Sequence, residues 1–242
     1  MTSNTNSSNY QFKPGRFSSH GRVLAAARTW PRSHRILEIG TATGYLGREL
    51  GLMGFRELAG VESDAASAQV ARDHYQWFAV ADLERDVLPE DIQECDVLIC
   101  ADVLEHLRDP LAQLRTLLAR VKPGASVVVS LPNVANWTVR LNLLVGRFSY
   151  TDRGLLDRSH LRFFTLRTAR ALIEDAGCRI ERCDPTPIPL TLVLGPFAPS
   201  FLGQWAEAAY AALTLVWRTL FAYQFVFVAR APIAAPSAPA IR

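Results

Sequence analysis

The residues whose types and spacing could do chemistry fall into two sets. The first begins at Glu38, runs through the small-residue turn Gly40-Thr41-Ala42-Thr43-Gly44 to Tyr45, and is followed downstream by Glu62 and Asp82. Glycine and alanine in such a turn let the backbone approach a ligand closely, and a helix starting just after it presents N–H groups with no partner inside the helix. Dinucleotide-binding folds share this geometry, so the glycines alone do not select the ligand; the acid two residues before the first glycine, inside the strand, narrows the choice. The second set is Asp102-Val103-Leu104-Glu105-His106, with His160 further on in Asp157-Arg158-Ser159-His160. Imidazole changes charge near neutral pH, so His106 and His160, with Glu105 beside the first, are the candidate acid–base groups for an acceptor whose nucleophile carries a proton.

Strands alternating with helices must carry these residues to one edge. A strand is expected over Arg35–Gly40, a helix from Tyr45 to Gly54, a second strand over Arg56–Glu62, a helix capped by Ser63 or Asp64, and a third strand ending at Asp82. Cys95–Asp102 is apolar enough to be buried on both faces, as parallel strands are. Asp109-Pro110 opens a helix, with the acid as cap and proline in the first turn, that ends at a Lys122-Pro123-Gly124 turn; Ala125–Pro132 is a fifth strand. Later come helices over Val134–Leu144 and Thr165–Gly177, a strand over Cys178–Cys183, a helix near Leu202–Leu220 and a last strand over Ala222–Arg230. A helix over Ser18–Thr29 precedes them all. This rhythm predicts a doubly wound α/β sheet. The domain is expected over residues 18–230, with insertions near 134–164 and 185–220, a flexible arm over 1–17 and a disordered tail over 231–242.

Composition narrows the class. A net charge of +3 gives no footprint for nucleic acid, and neither zinc-knuckle spacing nor an aromatic-basic ribbon is present. Cys95, Cys100, Cys178 and Cys183 form no CxxC pair and read as reduced core thiols. The N-terminal residues lack a basic and then apolar leader, so the expected location is cytoplasmic. The 22 uncharged residues between Asp184 and Glu207 are interrupted by prolines, which forbids a continuous spanning helix.

The run Glu38-x-Gly40-x-Ala42-x-Gly44 resembles motif I of class I S-adenosylmethionine-dependent methyltransferases, with Ala42 where that family usually carries glycine. The resemblance covers about residues 35–183 and implies a Rossmann-like doubly wound sheet of seven strands, mostly parallel with an antiparallel last strand. It also implies roles. Glu38 holds the amino-acid end of S-adenosylmethionine, and Gly40, Thr41, Ala42, Gly44 and Tyr45 lie along its ribose and methionine. Glu62 takes both ribose hydroxyls, Asp82 and Leu83 hold the adenine, and Ala101 completes the set. Asp102, Glu105, His106 and His160 resemble the ligand run of two metal-using groups, the small-RNA 2′-O-methyltransferases and, more loosely, the ubiquinone-pathway O-methyltransferases; Asp102 stands where those carry Glu. The same Glu-His pair is widespread in methyltransferases without metal, and the expectation here is a site without one.

The acceptor is less defined. Residues after the fourth strand do not form the N/D-P-P-Y pattern of amide and base amino-group methylation, and with only Lys13 and Lys122 there is no Lys-Asp-Lys-Glu tetrad for RNA ribose methylation. The segment from Leu131 to Thr165 resembles methyltransferases of ubiquinone/menaquinone pathways and of bacterial surface-glycan synthesis. It also resembles the W-type methionine-biosynthesis protein, which shares the fold but is thought to act through a partner enzyme. Two expectations follow: O-methylation of a glycan, lipid-linked or quinone-like small molecule, or a non-catalytic cofactor-binding partner protein. Between Arg140 and Arg170 lie seven arginines against Asp152 and Asp157, which suits a phosphorylated or carboxylated small molecule or a solvated face. An exposed apolar patch on the C-terminal helix, with Trp205, Trp217 and Phe221, would serve peripheral membrane or protein contact.

Overall fold

The computed structural model describes residues 15–90, 92–189 and 201–233. Its seven strands are β1 (Ile36–Ile39), β2 (Leu58–Glu62), β3 (Trp77–Val80), β4 (Cys95–Ala101), β5 (Val121–Pro132), β6 (Arg179–Thr186) and β7 (Gln224–Arg230). They form one sheet in the order β3-β2-β1-β4-β5-β7-β6. The first five run parallel, while β7 is antiparallel to both β5 and β6. Chain direction across the sheet reverses between β1 and β4, and open α/β sheets bind ligands outside the strand C-termini at such a switch point. The fold therefore matches the expected sheet.

Side-chain alternation along the buried strands feeds two cores. Leu37, Ile39, Leu98, Cys100, Val127 and Val129 face one layer, where α4 (Pro110–Leu118) and α6 (Leu166–Asp175) pack. Ile36, Val97, Ile99 and Val128 face the other, against α1 (Ser19–Ala27) and α2 (Tyr45–Leu52). Helix starts follow from local chemistry. Asp64 accepts from Ser67 N–H to cap α3 (Ala65–Ala71), and Asp109 accepts from Ala112 N–H ahead of Pro110. Thr165 and Thr168 form a capping box on α6, and Gly177, at φ +92°, ends it. All four cysteines are free thiols.

Several boundaries differ from expectation. The Lys122-Pro123-Gly124 turn is instead an irregularity inside β5: Cys95 pairs with Val121 and Val97 with Ser126, so the extra residues bulge out while pairing continues. The third strand stops at Val80, leaving Asp82 in the loop beyond it. The helix expected from Val134 begins at Trp137 as α5 (Trp137–Leu144), because Asn136 caps it by accepting from Thr138 N–H. Strand β6 runs on to Thr186, into the stretch expected to be an insertion. The C-terminal helix is broken at Trp217 into α7 (Phe201–Val216) and α8 (Arg218–Phe221). Ala231, expected in a disordered tail, is buried and donates to Ala125 O, while Pro232 O accepts from Gly124 N–H. Of the expected arm, Gly15 O receives Ser18 N–H at the start of α1; residues 1–14, 190–200 and 234–242 lie outside the described residues. Among the described residues, no helix is long and apolar enough to cross a membrane.

Gly40 shows how tightly the sheet edge is built. It has φ +70°, and a Cβ there would overlap Val103 Cγ2. Gly51, on α2, has open space at the same position. Gly40→Ala is expected to destabilise the protein by about 1–3 kcal/mol, and Gly51→Ala to stabilise it by roughly 0.5–1 kcal/mol through helix propensity. Urea unfolding midpoints of the two variants give the comparison; similar shifts for both would contradict the packing described.

Candidate functional site

The turn after β1 is tied to the end of β2. Glu62 Oε2 accepts from Ala42 N–H at 2.8 Å and Oε1 from Asp64 N–H at 2.9 Å, while Gly40 and Thr41 N–H donate to Val61 O at 2.8 and 3.2 Å. Ala42 (φ +46°) and Gly44 (φ +82°) both adopt the left-handed conformation, which turns the chain sharply into α2 at Tyr45. An alanine in that region bears a modest strain, offset here by its hydrogen bond to Glu62. A carboxylate has about four lone-pair sites, so the two backbone bonds leave Glu62 acceptor capacity for ligand hydroxyls. Asp82 is brought alongside because Ala81 N–H donates to Glu62 O at 3.0 Å. Its carboxylate accepts from Glu84 N–H at 2.9 Å and faces Arg85 at 3.4 Å; Leu83 packs onto the core beside it.

Glu38 is buried at 3% exposure, and Tyr75 Oη donates to its Oε2 at 2.7 Å. Burial raises its carboxyl pKa to about 8, Tyr75 partly offsets that, and the negative Glu62 adds to it. Tyr75 is a site residue that the sequence reading missed. Its ring occupies space made by two glycines: a Cβ on Gly47 in α2 would overlap the ring, and one on Gly60 in β2 would come within 2.9 Å of it. Glycine inside a helix or strand marks close approach by another group, and that was the available signal.

At the end of β4, Ala101 leads into Asp102, which has φ +58°. The Asp102 carboxylate accepts from Ser130 Oγ on β5, from Gln224 Nε2 on β7 at 3.0 Å and from Ser19 Oγ on α1 at 3.5 Å. Asp102 is thereby a structural tie and does not join the cluster of Glu105, His106 and His160. Ligand atoms of those three residues lie within 4.8 Å of one another. The backbone explains the meeting: Glu105 O accepts from both Leu161 and Arg162 N–H at 2.9 Å, which brings His160 beside His106. The two rings sit edge to face with centroids 4.9 Å apart. His106 Nδ1 lies 3.2 Å from Ser159 O. A carbonyl only accepts, so a neutral His106 carries its proton on Nδ1 and has Nε2 as the basic nitrogen. Burial, and then His106, push the His160 imidazole below the usual histidine range, which keeps it neutral near neutral pH.

The model of the methyltransferase-domain family matches residues 15–182. The chain belongs to that family. A curated ubiquinone biosynthesis O-methyltransferase of Neisseria meningitidis serogroup C is 32% identical over 108 residues, which are 42% of this chain and 45% of that protein. The chain thus spans under half the length of this relative. Among solved structures, the 4+2 cyclase SpnF superposes with a TM-score of 0.58 at 18% identity, over 89% of this chain and 81% of its own. The N-methyltransferase NodS of Bradyrhizobium japonicum, in complex with S-adenosylhomocysteine, gives 0.54 at 13% identity, over 88% and 85% of the chains. These two likenesses concern the fold. Family membership brings S-adenosylmethionine as the cofactor, and the residues fit it: buried Glu38 and half-buried Glu62 flank a turn in which Gly40, Ala42 and Thr43 are partly exposed.

Glu38 makes stability depend on pH. Its pKa rises from 4.5 to about 8 on folding, so its contribution is fully present below pH 4.5 and is lost as pH rises through 8. Glu38→Gln should therefore gain stability relative to the parent protein between pH 5 and pH 8, read from urea midpoints across that range. A pH-independent difference between the two would show that Glu38 is ionised in the folded chain.

Proposed function

We propose that this methyltransferase-family chain transfers a methyl group from S-adenosylmethionine to a hydroxyl of a small glycan, lipid-linked or quinone-like acceptor. The observation that carries the reading is the meeting of His106 and His160 at the end of β4, on the edge where Glu38, Glu62 and the Gly40–Gly44 turn converge. The family relative named as an O-methyltransferase supports oxygen as the methylated atom.

In this reading Glu38 faces the amino-acid end of the cofactor, Glu62 its ribose hydroxyls, and Asp82 with Leu83 its adenine; Thr41, Ala42, Tyr45 and Ala101 line the cleft between them. Bound there, S-adenosylmethionine supplies an activated methyl group on a sulfonium sulfur. The protein's part is alignment, which lowers a barrier by roughly 7–11 kcal/mol in favourable cases. His106 Nε2 accepts the proton of the acceptor hydroxyl, and Ser159 O steadies the imidazolium through Nδ1–H. His160 stays neutral beside it, so it does not repel the charge that forms. Glu105 anchors the His160 segment through its carbonyl, and its buried carboxyl joins the same cluster.

A second reading rests on the outer surface. Trp205, Val216 and Trp217 are more than half exposed along α7 and its end, while Phe221 is half-buried. A face of this kind suits a partner protein or a lipid surface, and a non-catalytic role of the W-type methionine-biosynthesis kind would use it.

Calorimetric titration with S-adenosylhomocysteine tests the cofactor half. Glu62→Ala should weaken binding by about 2–4 kcal/mol through loss of two charge-assisted hydrogen bonds. Affinity unchanged in a folded variant would sink the site. His106→Gln should leave that affinity intact while lowering methyl transfer to a catechol probe by roughly 100- to 10,000-fold. Equal rates in variant and parent would remove His106 from the chemistry. A chelator that abolishes turnover, with recovery on adding a divalent cation, would recast Glu105, His106 and His160 as ligands.

A further inference from the structure

The arginines between Arg140 and Arg170 do not all have structural work. Arg140 donates to Ala135 O, Arg162 to Arg108 O, Arg158 pairs with Asp152 and Arg170 with Glu174. Arg147, Arg153 and Arg167 make no ion pair with any described residue. Two of these three, Arg147 and Arg153, line the same groove of about 470 Å³, together with Thr138, Asn142, Ser149 and Tyr223, and among the described residues no acid lines it.

Local structure fixes the backbone at both arginines and leaves their side chains exposed. Arg147 follows the end of α5, where its N–H donates to Asn142 O at 2.8 Å and Gly146 takes φ +72°. Arg153 sits in a loop closed by Thr151 N–H donating to Leu156 O at 2.9 Å and Arg158 N–H to Thr151 O at 3.0 Å. Gly154, at φ +100°, lets that loop lie against the Tyr223 hydroxyl, to which a Cβ would come within 3.0 Å. The groove also adjoins the proposed reaction centre. The chain from Thr151 runs directly to His160, and Tyr223 precedes Gln224, which holds Asp102 at the end of β4.

We propose that this groove is a phosphate subsite, and that the acceptor carries a phosphate or diphosphate group held by Arg147 and Arg153 while its hydroxyl reaches the histidine pair. Guanidinium groups pair bidentately with phosphate oxygens, and the Ser149 hydroxyl and the second Asn142 amide proton can supply further donors, the Thr138 hydroxyl being committed to Asn136 Oδ1. The same chemistry is presented by a soluble phosphate ester and by a lipid-linked phosphate. The subsite deepens the methyl-transfer reading and rests on it for the role of the bound group, but not for the binding itself.

The test uses the full chain with inorganic pyrophosphate as probe, titrated calorimetrically into the parent protein, the double variant R147Q/R153Q and R167Q, whose arginine lies outside the groove. Saturable binding weakened about tenfold or more in the double variant and unchanged in R167Q is the expected result. Absence of saturable binding to the parent, or equal weakening in R167Q, would overturn the subsite. S-adenosylhomocysteine is titrated in parallel. Its binding without that of pyrophosphate removes the subsite alone, and pyrophosphate binding without it removes the methyl-transfer reading and leaves the subsite standing. Co-sedimentation with phosphatidylcholine vesicles, with and without phosphatidic acid, separates the sources. Pelleting that needs both phosphatidic acid and the two arginines assigns the phosphate to a lipid, and pyrophosphate binding without pelleting assigns it to a soluble acceptor.

Discussion

Much of the working edge hangs on one carboxylate. Asp102 leaves β4 in a left-handed backbone conformation that costs an ordinary residue free energy, and the cost is met by hydrogen bonds to α1, β5 and β7. Those bonds join elements from both ends of the chain to the middle of the sheet. Because Asp102 is held, Val103 sits against Gly40, and the short turn beyond it places Glu105 and His106 over the strand ends. Because Gln224 is held, Tyr223 is fixed at the mouth of the Arg147–Arg153 groove. A residue that resembles a metal ligand by its spacing is instead the joint on which neighbouring groups are set.

Charge is divided across that edge. Glu62 and Asp82 stand at the end of β2 and just past β3, with Glu38 buried in β1 and its carboxyl pushed up to about 8, whereas Arg147 and Arg153 line the groove at Tyr223, which leads into β7. In the proposed reading S-adenosylmethionine, with its positive sulfonium and ammonium, meets the carboxylates of Glu62 and Asp82. A phosphorylated acceptor would meet the basic half. Each ligand would then find its own side by sign before any close contact forms.

Legibility in the sequence varied with the range of the cause. The helix caps Asp64 and Asp109, the buried runs of β1 and β4, and the Gly40–Gly44 turn depend on neighbours a few residues away, and a local pattern shows them. The bulge between Val121 and Ser126 does not show locally, because the pairing partner on β4 sets it. Nor does the bond from Tyr75 to Glu38, which spans 37 residues, although Gly47 and Gly60 leave its imprint. The separation of Asp102 from Glu105, His106 and His160 is least visible of all, since it depends on Gln224 from the last strand.

The overlap between an added methyl group at position 40 and the Val103 side chain has a consequence for how such a chain can diverge. In the proposed reading Gly40 belongs to the cofactor turn and Val103 opens the acceptor side, yet the two share one small volume. A side chain at 40 meets both the Val103 side chain and the strain of φ +70°, so a smaller residue at 103 relieves only the first cost and the two substitutions are coupled rather than additive. The steric part of that cost is thus shared across the join between the two halves of the proposed active edge, and neither half can be altered there without the other being felt.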